Sequence, residues 1–151
     1  MTTLNHQVHI DAPVDAVWKA LADLDGVQKF NPAVMSARII SDRPDGVGAT
    51  RRCTLRSGGW VEERAWEWRD GRALGLEVVA GQYPVTSMRW RTELQREGGG
   101  TLVTQQMDYE MKFGVLGAIL DRLFMRRLLD VTITQIFAGL KRYVETASAQ
   151  G

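Results

Sequence analysis

The stretch 60–69 concentrates the groups best suited to acid–base chemistry. As a strand it places Trp60, Glu62, Arg64, Trp66 and Trp68 on one face and Val61, Glu63, Ala65 and Glu67 on the other. Whichever face turns inward therefore brings at least one carboxylate with it. A carboxylate in an apolar pocket has a raised pKa and can move protons near neutral pH. Glu63 and Arg64 are assigned as the catalytic candidates, with Arg51 as a second arginine able to hold a carboxylate or polarise a carbonyl. Because burying charge is costly, most of Glu62, Glu63 and Arg64 are expected to form a cross-strand charged face in water.

Other chemistries have less to work with. His6 and His9 are the only histidines, and three residues apart in a strand they point to opposite faces, so no metal site is expected. Cys53 is the single cysteine, which excludes an internal disulfide framework and any multi-cysteine metal site. It lies within a strand-like segment without a nearby histidine, and reads as a small buried hydrophobe. Gly98-Gly99-Gly100 precedes a strand and not a helix, so it makes a turn and no phosphate cradle. No cofactor is expected. Arg122, Arg126 and Arg127 alternate with Asp121 and Asp130, the pattern of a solvated helix face. Arg51, Arg52 and Arg56 form a second basic cluster, but no basic stripe carries stacking aromatics, so nucleic acid is not an expected partner.

The stronger signal is apolar. Four of the five tryptophans, Trp60, Trp66, Trp68 and Trp90, lie between residues 60 and 90, close to Met88, Met107, Tyr109 and Met111. Aromatic and methionine side chains suit adaptable apolar pockets. Trp60, Trp66, Met88, Trp90, Gln105, Met107 and Tyr109 are the candidate ligand-binding residues. Thr86, Thr92 and Gln105 share faces with the apolar groups and would supply polar contacts to a carbonyl or hydroxyl.

The elements that must position these residues are marked by turns. Asp45-Gly46, Ser57-Gly58-Gly59, Asp70-Gly71, residues 81–84 and Gly98-Gly99-Gly100 punctuate the chain at near-even spacing. Between them lie six segments of strand length, about 34–42, 48–56, 60–69, 72–80, 84–96 and 100–112, whose short connections require antiparallel pairing. Segments 84–96 and 100–112 alternate apolar and polar, so one face of the sheet is covered and the other wet. The cover is residues 115–146. There Leu116, Ile119, Leu120, Leu123, Phe124, Ile133, Ile136, Phe137, Leu140 and Val144 recur at three- and four-residue steps, as in a helix. Gly139 and Val131-Thr132-Ile133-Thr134 are the expected bending points. Ahead of the meander come a strand over residues 5–11, a helix opened by Pro13 with Asp11 as its cap, and a short helix near residues 25–30.

In that setting Ile10-Asp11-Ala12-Pro13-Val14-Asp15-Ala16-Val17-Trp18 resembles the opening motif of the SRPBCC superfamily. That group holds the START, birch-pollen-allergen-like and polyketide cyclase/dehydrase families. Leu24-Asp25, Phe30-Asn31-Pro32, Gly48-Ala49-Thr50-Arg51-Arg52, Glu63-Arg64, Gly100-Thr101-Leu102-Val103-Thr104 and the closing helix follow in matching order, with Phe30 where tryptophan is common. The resemblance spans nearly the whole chain. It implies an α+β helix-grip fold over residues 1–151: a seven-stranded curved antiparallel sheet wrapped around a long C-terminal helix, with two short helices after strand 1 and a cavity between. The expected function is binding of a small, mostly hydrophobic molecule (a lipid, quinone or polyketide) in that cavity. The alternative is a polyketide cyclase or dehydratase that shifts an α-proton through a cavity carboxylate.

The 151 residues are 44% hydrophobic, enough for one compact domain without a disulfide or metal staple, and the net charge of +1 provides no strong global field. No stretch reaches the roughly 20 apolar residues of a membrane span, and the N-terminus lacks the basic and apolar regions of a signal peptide. A cytoplasmic protein without stable membrane insertion is expected, with a homodimer left open.

Overall fold

The computed structural model describes residues 1–150. β1 (Thr2–Ile10) leads into α1 (Val14–Ala22) and a 3-10 turn (Leu24–Lys29). Six strands follow: β2 (Val34–Ile39), β3 (Thr50–Leu55), β4 (Trp60–Arg69), β5 (Ala73–Gly81), β6 (Val85–Glu97) and β7 (Gly100–Met111). They form one antiparallel sheet in the order β1-β7-β6-β5-β4-β3-β2, so the first strand closes against the last and the meander runs on from there. The β6–β7 turn is made by two residues, with Gly98 at φ 59°, a conformation that residues with a Cβ rarely adopt. Pro13, and not Asp11, stands at the N-cap of α1, and the Asp11 backbone N–H instead donates to Glu145 at 2.8 Å.

Alternation assigns the faces. The inner face of β6 carries Met88, Trp90, Thr92 and Leu94, paired across to Tyr109, Met107, Gln105 and Val103 of β7. α1 and the C-terminal helix pack on this side, and Ile10, Val17, Val34, Cys53, Val61, Leu94, Val103, Phe137, Leu140 and Val144 form one buried cluster joining them to the sheet. The outer face carries the charges, among them Arg91 with Glu67 at 2.6 Å and Arg64 with Glu77 at 2.9 Å.

The C-terminal helix comprises α2 (Gly114–Leu120), a π-helical turn (Asp121–Met125) and α3 (Arg126–Gln150). The irregularity thus falls earlier than the expected bending points. Gly117, Asp121, Ile133 and Phe137 are buried, with Met125 and Leu129 packed between them, so the inward positions recur every four residues. Four residues overrun a 3.6-residue turn by about 40°, and the extra residue of a π turn offsets part of the accumulated drift. One consequence corrects the sequence reading. Phe137 and Leu140 face the sheet as expected, whereas Leu120, just before the π turn, and Phe124, within it, are 38% and 64% exposed. Gly139 acts as a contact and not as a bend: a Cβ there would collide with the carbonyl oxygen of Phe30.

Candidate functional site

The inner face has one buried ion pair. Glu63 is 8% and Arg51 6% exposed, side by side on β4 and β3, and Arg51 Nε–H donates to Glu63 Oε1 at 2.8 Å. A second Arg51 N–H donates to the Leu24 carbonyl at 3.1 Å, which ties the sheet to the 3-10 turn. Cys53 Sγ lies 3.9 Å from the same Glu63 oxygen. Burial, reinforced by the Glu63 charge, pushes the Cys53 thiol up to about 12, which favours the protonated thiol over the nucleophilic thiolate. The Tyr83 hydroxyl is also pushed up to about 12, by burial and then by Glu63. Tyr83 escaped the sequence reading because it sits in the turn before β6, where no periodicity assigns a face.

Arg64 does not join this group. Adjacent strand residues point to opposite faces, so Arg64 lies outside, half exposed and paired with Glu77. Arg51, from the neighbouring strand, is the arginine that faces Glu63. Trp60 and Trp66 are outside as well: Trp60 carries the Arg52 guanidinium at 3.9 Å and Trp66 carries that of Arg89 at 3.9 Å. Trp66 lies over Gly75, where a Cβ would strike its ring. Trp68 returns to the inner side because the β4–β5 register shifts between Ala65 and Glu67, and its ring meets Trp18 edge-on with centroids 5.5 Å apart.

The remaining candidates form ordered rows across the inner face. In register, Leu4, Met107, Trp90 and Leu76 make an apolar row over β1, β7, β6 and β5. Beside it His6, Gln105 and Thr92 make a polar row, and beyond that Val8, Val103 and Leu94 are apolar again. Thr92 Oγ1 donates to Gln105 Oε1 at 3.3 Å. His6 Nε2 meets Asp130 of α3 at 2.6 Å, while His6 Nδ1 is buried with no hydrogen-bond partner. Met88, Met107 and Tyr109 pack with Val85 and Ile133 in a buried cluster, with Trp90, partly exposed, at its edge. The Tyr109 hydroxyl donates to Asp121, and burial together with that carboxylate pushes its pKa well above the ordinary phenol range. Burial favours protonation of Asp121, but hydrogen bonds from Thr2, Tyr109 and Arg126 outweigh it and hold the carboxyl below its usual range. Nothing in the sequence pairs Tyr109 with Asp121, because the π turn sets that contact.

Two open cavities lie outside this interior. One, about 520 Å³, is a trough on the outer face lined by Asn5, Gln7, Trp66, Arg89, Arg91 and Gln106, and it also touches the strand positions of His6, Trp90 and Gln105. The other, about 750 Å³, runs between the 3-10 turn and α3, along Lys29, Phe30, Pro32, Gly139, Arg142 and Tyr143.

Comparison with known proteins follows the same architecture. Among solved structures the chain is similar to TTHA0849 from Thermus thermophilus, at 21% identity and a TM-score of 0.81, covering 97% of this chain and 99% of that one. It is similar to Ara h 8.0201 at 18% identity and a TM-score of 0.77, with 96% and 98% covered. XoxI from Bacillus cereus superposes with a TM-score of 0.72 at 15% identity, with 99% and 96% covered. No curated protein matches the chain. The family model described as polyketide cyclase / dehydrase and lipid transport matches residues 1–145, and with the sheet gripping its long helix the chain belongs to that family.

Proposed function

We propose that the protein binds a small, mostly hydrophobic molecule between the inner face of the sheet and the C-terminal helix, beside Trp90. The observation that carries this is the polar row His6-Gln105-Thr92 set between two apolar rows, with His6 Nδ1 buried and unpartnered. A buried polar atom without a partner is costly, and a ligand hydroxyl at this point would satisfy it by donating to the neutral ring or accepting from the charged one. Apolar walls with a few placed polar groups are the usual make-up of such sites. The ligand class is a lipid, quinone or polyketide.

The test is native mass spectrometry of protein taken from its source, followed by titration of tryptophan fluorescence with a naphthoquinone. Saturable quenching is expected, and Trp90→Ala should weaken binding about tenfold, close to 1.4 kcal/mol. Absence of both a copurifying molecule and saturable quenching would overturn the proposal.

One observation favours the second reading, acid–base catalysis on a polyketide: Glu63 is buried against an arginine. Glu63→Gln separates the two. A binding protein keeps its affinity within a few-fold, whereas an enzyme relying on this carboxylate loses turnover by about 10²-fold or more.

A further inference from the structure

The helix from Gly114 to Val131 has an unusual outer surface. Leu116, Ile119, Leu123, Phe124, Leu128 and Val131 are each half or more exposed, while Gly117 and Asp121 on the opposite side are buried. A continuous apolar stripe left outside a fold marks an interaction surface. This one runs about 23 Å along the helix at 1.5 Å per residue. It is not the ligand interior, because the core occupies the other side.

The charges select the occupant. Asp121 and Asp130 are the only acids between residues 112 and 132. Asp121 is taken by Thr2, Tyr109 and Arg126, and Asp130 by His6. Lys112, Arg122 and Arg127 are exposed and, among the described residues, take part in no ion pair. A second copy docked on this stripe would bring Arg122 and Arg127 of both chains together with no acid between them. An anionic bilayer accepts the apolar stripe at its acyl boundary and the cations at its headgroups. No helix among the described residues is long and apolar enough to cross a membrane, so attachment is to the surface.

We propose that residues 113–131 are a docking surface for an anionic lipid bilayer, with Leu123 and Phe124 entering the interface and Arg122 and Arg127 meeting lipid phosphates. The inference stands apart from the ligand site, since vesicle binding is measured without ligand. The experiment is cosedimentation of the full chain with extruded phosphatidylcholine vesicles, with and without about 30 mol% phosphatidylglycerol. Binding to the anionic vesicles should be at least about tenfold tighter than to the neutral ones and should weaken as salt is raised. The doubly substituted Leu123→Gln, Phe124→Gln protein should lose about tenfold or more in vesicle affinity while keeping its thermal midpoint, because both side chains are exposed. Arg122→Gln with Arg127→Gln should abolish the preference for anionic lipid. Wild-type protein that stays in the supernatant with both vesicles overturns the proposal. So does equal binding to neutral vesicles, or sedimentation equilibrium showing a dimer that the Leu123→Gln, Phe124→Gln protein no longer forms.

Discussion

At the scale of single residues, Asp121 is the most informative group. It is a buried carboxylate held ionised by three donors from three parts of the chain: Thr2 on β1, Tyr109 on β7 and Arg126 at the start of α3. Its folded-state pKa is depressed, so its contribution is fully present above the ordinary carboxylate value of about 3.9 and is lost as pH falls through the folded value. Asp121→Asn should cost about 1–3 kcal/mol at pH 7, and its deficit against wild type should close below about pH 4. Urea unfolding at a series of pH values measures this, and a deficit that stays constant with pH would assign the effect to packing and not to charge. The outer-face ion pairs carry less weight. Arg64–Glu77 and Arg52–Glu62 are partly solvated, and such pairs contribute little.

At the scale of elements, α3 is held by how closely it approaches its neighbours. Gly139 lets the helix lie against the carbonyl end of the 3-10 turn, and Lys141 donates to the His9 carbonyl at 3.0 Å from the same stretch. Glycine to alanine inside a helix ordinarily stabilises by close to 1 kcal/mol. Here the sign should reverse, because the added methyl meets backbone that cannot swing aside. Gly139→Ala is expected to lower stability by about 1–3 kcal/mol by thermal denaturation. A gain in stability would return Gly139 to the role of a weak point in the helix.

Across the whole molecule, the sheet and the C-terminal helix share one apolar core, so neither is expected to persist without the other. Phe137 packs in the cluster that also holds Ile10 of β1, Val61 of β4, Leu94 of β6 and Val103 of β7. Phe137→Ala should cost about 3–5 kcal/mol. Far-ultraviolet circular dichroism, which follows the helix, and tryptophan fluorescence, which follows the sheet, should shift together. Separate transitions would mean that helix and sheet unfold as independent units.

Strand pairing was legible in the sequence because turn chemistry and period-two alternation are local properties: Asp70-Gly71 and Gly98-Gly99 fix where the chain reverses, and the alternation of 84–96 and 100–112 fixes which side is dry. The same alternation groups Glu63 with Val61 and Ala65, but which of the two faces of 60–69 turns inward is decided only by the folded sheet, where all three are buried. Which arginine meets Glu63 was not legible, since Arg64 is its sequence neighbour, whereas Arg51 reaches it across a strand pair. Trp60, Trp66 and Trp68 share a face in an ideal strand, but the register shift after Ala65 leaves two outside and turns the third inward. The helix shows the same division most clearly. Its existence follows from apolar spacing, but the identity of its buried side depends on the π turn at Asp121–Met125, which tertiary contacts to Thr2 and Tyr109 accompany. A uniform 3.6-residue wheel therefore turned Leu120 and Phe124 inward, and only the folded chain shows them facing out.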